Sequence, residues 1–496
     1  MAELPLDVRA RCPETTIPLT WLRVGVVRDH LHRPNMEIEF AGADREVTGS
    51  CHIVRVNGKT VLLDCGLYQG HRGATDVKNR ALPCPIETID AVVLSHAHLD
   101  HSGRLPFLVS HGYSRPIHAT KATADLTAIM LADSAHIQES DFAFLTRHGR
   151  PVAPPLYGLS DAAQVEELVQ RHPYEEWFDV CTGLRARFTD AGHILGSASI
   201  VLEATNGSNV TRLIFSGDIG RAGLPIIRDP VPPPDAADIV IMESTYGNRD
   251  HESVASSREH LGRVVRETSA RGGRLLIPAF AVGRTQELVY DLQVLARAKE
   301  IPPIRIVIDS PLATAATGVF ERNTDVFDRS EGPVREIESL FRFERLSYTS
   351  STEESKALNT RVGPMVIIAG SGMVEGGRIL HHLLNGAANA RNTILIVGFQ
   401  AENTLGRRIV ERRPVIRVLG TEVELRANVE IINGYSAHAD RTELETWIGA
   451  VRHTSPKLRQ LYLVHGEVGA QTALSETLTR QGYRVRCPEL HEKISC

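Results

Sequence analysis

The segment Ser95-His96-Ala97-His98-Leu99-Asp100-His101 decides the fold and the chemistry expected of this 496-residue chain. It follows a buried apolar strand and precedes a helix that we expect to begin at about Ser102. Open α/β sheets place their sites on such strand-to-helix loops. In this loop His96 and His98 can point one way while Asp100 and His101 point another, which suits two metal ions. Imidazole and carboxylate ligands without cysteine favour catalytic zinc.

The composition is typical of a soluble globular protein, with 42% hydrophobic and 23% charged residues. Lys and Arg total 55 against 60 for Asp and Glu, a net charge of −5, so a binding site for a polyanion must be local. Aromatic residues, at 5%, argue against base stacking as the main mode of binding. No apolar run approaches the ~18 residues of a membrane span, and no secretory signal is visible. We therefore expect no membrane association.

The seven cysteines are odd in number and form no Cys-x-x-Cys pair. This pattern argues against both a disulfide framework and a thiolate zinc site. A reducing cytoplasm is the expected location.

Short apolar runs alternate with helical patterns along the chain. Ile53–Val56 and Thr60–Asp64 flank Asn57-Gly58, which predicts a hairpin with a type I′ turn. Further buried strands are predicted at Ala91–Leu94, Ile200–Leu202, Leu213–Phe215, Ile239–Met242, Leu275–Ile277, Ile304–Ile308, Met365–Ile368, Ile394–Val397 and Leu461–Val464. Helices are predicted at Thr285–Ala298 and Arg441–Val451. The sequence therefore predicts an α/β protein with layered sheets.

Three single residues gain weight from the histidine cluster. His193 lies in a Gly-flanked segment before a strand, while Asp218 and His465 each come directly after a predicted strand. Each has glycine beside it, as a close backbone approach to a site requires. Each alone would more often be a hydrogen-bonded turn residue.

The order of these motifs carries a family resemblance. The metal motifs of the metallo-β-lactamase fold, in their usual order, are resembled by Asp64, the His96–His101 motif, His193 and Asp218. Three later residues resemble motifs A, B and C of the β-CASP branch, the nucleases related to the cleavage-and-polyadenylation endonuclease. They are Glu243 in Met-Glu-Ser-Thr-Tyr-Gly, His438 in Gly-Tyr-Ser-Ala-His-Ala-Asp, and His465. The resemblance runs from about Met36 to the C-terminus.

The resemblance implies a metallo-β-lactamase αββα sandwich with an inserted α/β β-CASP cap that closes over the metals. The sandwich would comprise residues 36–248 and 426–496, and the cap residues 249–425. Residues 1–35 carry no apolar periodicity, and we expect a flexible N-terminal extension there. The alternative is an ordered N-terminal element that docks on the domain.

The resemblance also implies roles for the site residues. One zinc ion would be held by His96, His98 and His193. A second would be held by Asp100, His101 and His465, and Asp218 would bridge the two. Asp64 would orient the ligand loop, or alternatively only satisfy a turn. Asp100, His438 and Glu243 are the expected catalytic residues, with His438 as general acid and Glu243 orienting it. In the alternative reading, Glu243 is a strand-end acid and His438 a helix N-terminal residue.

Phosphate recognition is expected on loops that follow predicted strands. Arg284 could offer a forked donor to a phosphate oxygen. The other candidates are Ser310, Ser371, Gly372 and Ser436. The serines and glycines of these loops could equally serve as turn and cap residues.

The expected function is a zinc-dependent ribonuclease that hydrolyses single-stranded RNA with a hydroxide bridging two zinc ions. Histidine at motif C, here His465, is the RNA-type choice in the family. A DNA-directed nuclease, a small-substrate metallohydrolase and an inactive RNA-processing scaffold are the alternatives. The family makes a homodimer plausible, whereas the natural RNA, the balance of endonuclease and 5′-exonuclease action, and the choice of zinc or manganese stay open.

Overall fold

The computed structural model describes residues 36–70, 72–150, 152–206, 209–329, 340–398, 400 and 404–495. Residues 1–35 lie outside these ranges, so the N-terminal extension stays a prediction. The strands are β1 Glu37–Phe40, β2 His52–Val56, β3 Lys59–Leu63, β4 Ala91–Val93, β5 Ile117–Thr120, β6 Val169–His172, β7 Trp177–Cys181, β8 Leu184–Asp190, β9 Ala198–Asn206, β10 Asn209–Phe215, β11 Ile239–Glu243, β12 Arg274–Pro278, β13 Arg305–Ile308, β14 Leu346–Tyr348, β15 Met365–Ala369, β16 Thr393–Ile396, β17 Val415–Val418, β18 Thr421–Glu424, β19 Asn428–Ile431, β20 Gln460–Val464, β21 Val485–Arg486 and β22 Lys493–Ser495.

The helices are α1 Arg72–Asn79, α2 Leu99–Ser102, α3 Leu105–Ser110, α4 Lys121–Arg147, α5 Leu159–Leu168, α6 Val254–Ala270, α7 Arg284–Arg297, α8 Pro311–Arg322, α9 Thr352–Thr360, α10 Ile379–Gly386, α11 Leu405–Val410, α12 Arg441–Thr454 and α13 Val468–Arg480. Each predicted strand and helix is present within a few residues of its expected bounds. Within the described ranges, no helix is both long enough and apolar enough to cross a bilayer.

Two seven-stranded sheets pack face to face. Their strand orders are β22-β1-β2-β3-β4-β5-β6 and β21-β20-β11-β10-β9-β8-β7. Alternate residues of one strand face opposite sides, so Ile239 and Ile241 of β11 lie in the core between the sheets. Val240 and Met242 of the same strand face the outer core instead.

Helices cover the outer faces of both sheets. Leu105 of α3 and Leu131 of α4 pack on one sheet, and Trp447 of α12 and Leu474 of α13 pack on the other. These layers make the predicted αββα sandwich. The predicted hairpin is also present, because β2 and β3 pair antiparallel through Asn57-Gly58.

A third sheet lies in the inserted part of the chain, with the order β14-β13-β15-β12-β16-β19 and all strand pairs parallel. The expected end of the insertion at residue 425 falls short of this sheet's edge. β19 lies beyond that residue and pairs with β16 from Thr393 to Ile396. We call residues 254–431 the inserted lobe, and residues 36–253 with 432–495 the sandwich lobe.

The two lobes share one apolar core. Ala97 and Ile194, which neighbour predicted ligands, pack in the same cluster as Leu275 and Ile277 of β12. Polar contacts join the lobes too, since Asn323 accepts from Lys121 of α4 at 2.5 Å. The inserted lobe therefore packs directly on the loops that carry the metal-ligand motifs.

Candidate metal centre

The predicted ligands come from strand ends on one edge of the sandwich. His96 follows β4, Asp218 follows β10 and His465 follows β20, while His193 lies between β8 and β9. His98 occupies the position before the short helix α2, so Asp100 and His101 lie within its single turn. Each strand is buried at the end next to its ligand, and this fixes the position from which the ligand projects.

One group of ligand atoms combines three imidazoles with a carboxylate. His98 Nδ1 lies 3.1 Å from His96 Nε2 and 3.2 Å from His193 Nε2. Oδ2 of Asp218 lies 3.4 Å from His96 Nε2 and 3.5 Å from His193 Nε2. The structure thus brings together the residues expected to hold the first ion.

A second group adjoins the first. His101 Nε2 lies 3.3 Å from His465 Nε2, which in turn lies 3.5 Å from Asp100 Oδ2. The same Asp218 Oδ2 lies 3.3 Å from His101 Nε2. One carboxylate oxygen is therefore within reach of both groups, as a bridging ligand requires.

The atoms in each group are arranged to bind a metal ion rather than to hydrogen-bond with one another. Two nitrogens held about 2.0–2.1 Å from a tetrahedral zinc ion lie about 3.3 Å apart, close to the spacings of His96, His98 and His193. Oδ1 of Asp218 is buried without a hydrogen-bond partner. Buried polar atoms normally have a hydrogen-bond partner, so an unpartnered carboxylate oxygen among converging imidazole nitrogens indicates a cation site.

The electrostatics point the same way. Burial and neighbouring histidines lower the pKa of His96 and His193 well below its ordinary value, which leaves neutral rings with free lone pairs. Burial would also lower the pKa of His101, but Asp218 and Asp64 outweigh it and raise that pKa well above its usual range. The carboxylates therefore favour a positive charge at the centre, which a divalent cation supplies.

Asp64 lies behind the ligands. Its Oδ2 contacts His101 Nδ1 at 2.7 Å and accepts hydroxyl hydrogen bonds from Ser95 at 2.9 Å and Ser50 at 3.1 Å. Its Oδ1 accepts from the Ser95 backbone N–H at 2.7 Å. The contact between Asp64 Oδ2 and His101 Nδ1 fixes the tautomer of His101 and directs its Nε2 at the metal centre.

His438 and Glu243 form a pair beside the two groups. His438 Nδ1 lies 3.1 Å from Glu243 Oε1, which also accepts from the Ile219 backbone N–H at 2.7 Å. Burial would lower the pKa of His438, but Glu243 and Asp218 outweigh it and raise the pKa to about 9. Glu243 is fully buried, whereas the His438 side chain keeps 20% exposure. The ring can therefore hold a proton and present it on Nε2.

Arg284 does not lie where a phosphate could reach it. Arg284 is only 5% exposed, and its guanidinium bonds to Glu287 and lies over the ring of Tyr435 at 5.9 Å. A buried guanidinium that already has a carboxylate partner is committed to holding α7 in place. This arrangement replaces the expected phosphate contact.

The serine candidates serve their own loops. Ser310 caps α8 by accepting from the Ala313 backbone N–H at 3.2 Å, and Ser371 accepts from the backbone N–H groups of Glu375 and Gly376 at 3.1 Å. These are the cap and turn roles that the sequence left open. Ser436 accepts from the His438 backbone N–H at 3.3 Å, so it positions the predicted acid.

Two side-chain roles were not predicted from the sequence, although Phe280 lies in the loop of Arg284 where phosphate recognition is expected. Thr245 Oγ1 lies 3.1 Å from His465 Nδ1 and thus orients that ligand. Its position two residues after Glu243, at the same strand end, was the available signal. Phe280 lies with its ring centroid 6.4 Å from that of His98, and only the exposure of a large apolar residue distinguishes it.

Comparison with known families agrees with this geometry. Residues 44–267 match the metallo-β-lactamase superfamily, residues 285–409 the β-CASP domain, and residues 422–488 the Zn-dependent metallo-hydrolase RNA specificity domain. Ribonuclease TTHA0252 of Thermus thermophilus is 37% identical over 461 residues, which cover 92% of this chain and 100% of that protein. The chain belongs to the β-CASP branch of the metallo-β-lactamase superfamily.

Other similar proteins share less sequence with this chain. Transcription termination factor FttA of Methanosarcina mazei is 30% identical, over 90% of this chain and 69% of that protein. A crystal structure of an Enterococcus faecalis protein of unknown function covers 93% of this chain and 100% of its own, with a TM-score of 0.54 and 12% identity. That similarity extends to the fold alone.

Proposed function

We propose that the chain is a zinc-dependent ribonuclease that hydrolyses phosphodiester bonds of single-stranded RNA. The observation that carries the proposal is the placement of the His438–Glu243 pair beside two groups of ligand atoms that both lie near Oδ2 of Asp218. The names of the similar Thermus and Methanosarcina proteins, a ribonuclease and a transcription termination factor, support RNA as the substrate.

One ion would be held by His96, His98 and His193. A second ion would be held by Asp100, His101 and His465, and Asp218 would contact both ions. Two zinc ions, when bound, would supply the acidity that activates water near neutral pH and the charge that stabilises the reacting phosphate.

His438 would then complete the cleavage. With Nδ1 held by Glu243, its Nε2 donates a proton to the leaving 3′ oxygen as the bond from that oxygen to phosphorus breaks. The products are a 5′-phosphate and a 3′-hydroxyl. We also propose a cytoplasmic location, which the unpaired cysteines among the described residues support. A homodimer stays a prediction, which light scattering would test.

The first experiment measures zinc per chain together with cleavage of 5′-labelled single-stranded RNA and of its DNA counterpart. We expect about two zinc ions and RNA-selective cleavage that a chelator abolishes and added zinc restores. The matched control is His453→Ala, because His453 is an exposed histidine of α12 away from the ligand groups. It should cleave like the unaltered chain.

Other outcomes identify the alternatives. Cleavage of DNA alone would overturn the substrate but not the chemistry. Zinc binding without nuclease activity, combined with hydrolysis of a chromogenic lactam, would indicate a small-substrate hydrolase. A protein that binds neither zinc nor manganese and cleaves no RNA would be the inactive scaffold.

A further inference from the structure

We infer that Phe280 is the stacking surface for one nucleobase next to the phosphodiester that is cleaved. This inference rests on the proposed ribonuclease function and adds a binding site for a base to it. Phe280 is 39% exposed, although its ring centroid lies only 6.4 Å from that of the ligand His98. An exposed aromatic ring beside a metal ligand is in position to meet the substrate rather than the core.

The backbone of Phe280 is held firmly. Its carbonyl accepts hydrogen bonds from the backbone N–H of Thr285 at 3.3 Å and from the Thr285 hydroxyl at 2.8 Å. The preceding residue, Ala279, donates its N–H to Ala369 at the end of β15 at 3.1 Å. Because the main chain is fixed on both sides, little backbone freedom is lost when a base binds.

Gly372 supports the ring from behind. A Cβ atom at Gly372 would lie 2.6–2.8 Å from three atoms of the Phe280 ring, so only glycine allows this contact. The Gly372 carbonyl accepts from Gln400 Nε2 at 2.9 Å, and Ser371 closes the same loop through its hydroxyl. The ring therefore lies against ordered main chain, with its exposed part left for a ligand.

The second neighbour of this loop is the ligand loop of the sandwich lobe. A Cβ atom at Gly283 would lie 3.2 Å from Cγ2 of Ile194, the residue after His193. The segment that carries Phe280 is thus wedged between the ligand loop and the Gly372 loop. A base on this ring would belong to a nucleotide at the metal centre, not to a distant part of the strand.

Stacking on phenylalanine suits a substrate of unrestricted sequence, because every base has an aromatic face. It also selects single strands, since a base in a duplex must first leave its own stack. One well-placed ring is enough for this purpose, which reconciles the role with an aromatic content of only 5%.

Phe280→Ala, Phe280→Trp and Phe280→Leu test the inference. They are assayed on single-stranded RNA that is intact, or abasic at each nucleotide flanking the cleaved bond in turn. Phe144→Ala is the matched control, since Phe144 is a 55% exposed phenylalanine in α4. Truncation of a stacking ring costs about 1–3 kcal/mol, so kcat/KM of Phe280→Ala should fall about 5- to 150-fold on intact RNA.

The abasic substrates separate stacking from mere shielding of the metals. If Phe280 stacks on a base, removal of that base makes Phe280→Ala and the unaltered chain equal, and Trp but not Leu restores activity. If the ring only excludes water, Phe280→Ala loses the same factor on every RNA and Leu restores activity. That result, or activity equal to that of Phe144→Ala, would overturn the inference.

A binding measurement keeps the test independent of turnover. RNA with 2-aminopurine at the stacked position is titrated into the His438→Ala protein with and without Phe280→Ala. Quenching that requires the ring supports stacking, and equal quenching overturns it. If Phe280 quenches the 2-aminopurine fluorescence but the unaltered chain cleaves no RNA, the base-binding site is supported and the proposed ribonuclease function is overturned. If the unaltered chain cleaves RNA and Phe280→Ala changes neither quenching nor cleavage, the ribonuclease function is supported and the base-binding site is overturned.

Discussion

Asp218 and Asp309 occupy similar positions in two different sheets. Each follows a buried strand, is itself buried, and has histidine within reach. Around Asp309, however, each oxygen has its donors: Thr349 and Arg378 contact Oδ1, and Ser355 and His382 contact Oδ2, at 2.5–2.8 Å. Around Asp218 the nearest imidazole nitrogens stop at 3.3–3.5 Å.

The difference lies in what satisfies the carboxylate. The Asp309 cluster consists of donors and acceptors that match one another, so it needs no further partner and holds the loops of the inserted lobe together. The Asp218 cluster consists mainly of acceptors and lone pairs that converge without matching. A buried group of that kind is complete only with a cation.

The largest expected effect is that of Asp218→Asn. The amide removes the shared negative charge, so both ions should be held weakly. Because bound metal lowers the pKa of water from about 15.7 to about 7, cleavage should fall by more than about 10⁴-fold. Plasma emission spectroscopy of the purified variant measures the zinc, and labelled RNA measures the rate. Full zinc content with normal cleavage would remove the distinction between the two aspartates.

His438→Ala should slow cleavage by about 10²–10⁴-fold, the usual contribution of a general acid, and should retain its zinc. His438 contacts Glu243 more closely than it contacts Asp218, at 3.1 against 3.9 Å. Single-turnover rates at saturating RNA, with zinc content in parallel, check both statements. Zinc loss would make His438 a ligand and enlarge the Asp218 cluster.

Asp309→Asn should affect stability instead of chemistry. Loss of one partner from a buried ionic cluster costs about 3–5 kcal/mol, so the thermal midpoint should drop while zinc content stays constant. Asp179→Asn, on the exposed side of β7, is the control and should leave the midpoint unchanged.

The same variant should show a characteristic pH dependence. Burial would raise the pKa of Asp309, but its four donors outweigh it and hold the pKa below the ordinary value. A depressed pKa adds stability that is present above the unfolded value of about 3.9 and is lost as pH falls towards the folded value. The difference in midpoint should therefore be full at pH 7 and shrink below about pH 4. A difference independent of pH would contradict the matched charge network.

Asp64→Asn should have the smallest effect, a loss of about 10–100-fold in zinc affinity or activity. Because Asp64 contacts His101, the group of Asp100, His101 and His465 should lose its ion first. Competition with a chromogenic chelator resolves the two affinities. Equal weakening of both ions would mean that Asp64 supports the whole loop rather than one ring.

Much of the site could be predicted from the sequence because its ligands follow apolar strands or cluster in one loop, as His96 and His98 do. The order of motifs then joined residues as distant as Asp218 and His465. Satisfaction of polar groups could not be predicted in this way. Arg284 and Ser310 have the sequence context of phosphate ligands, but burial and local partners commit them elsewhere. The loop of Phe280 and Arg284 was predicted from the sequence to contact phosphate, but no role was predicted for the Phe280 ring, because its exposure depends on packing around Gly372, which no local pattern reveals.

The apolar core shared by the lobes limits how this enzyme can be re-engineered. Ala97 and Ile194 of the ligand loops are covered by side chains of the inserted lobe. Excision of that lobe would expose apolar side chains beside the predicted metal ligands. A chimaera with the lobe of a relative would therefore need both faces of the junction transplanted together. The inserted lobe is therefore not an independent unit that can be exchanged, and its residues must be altered in place.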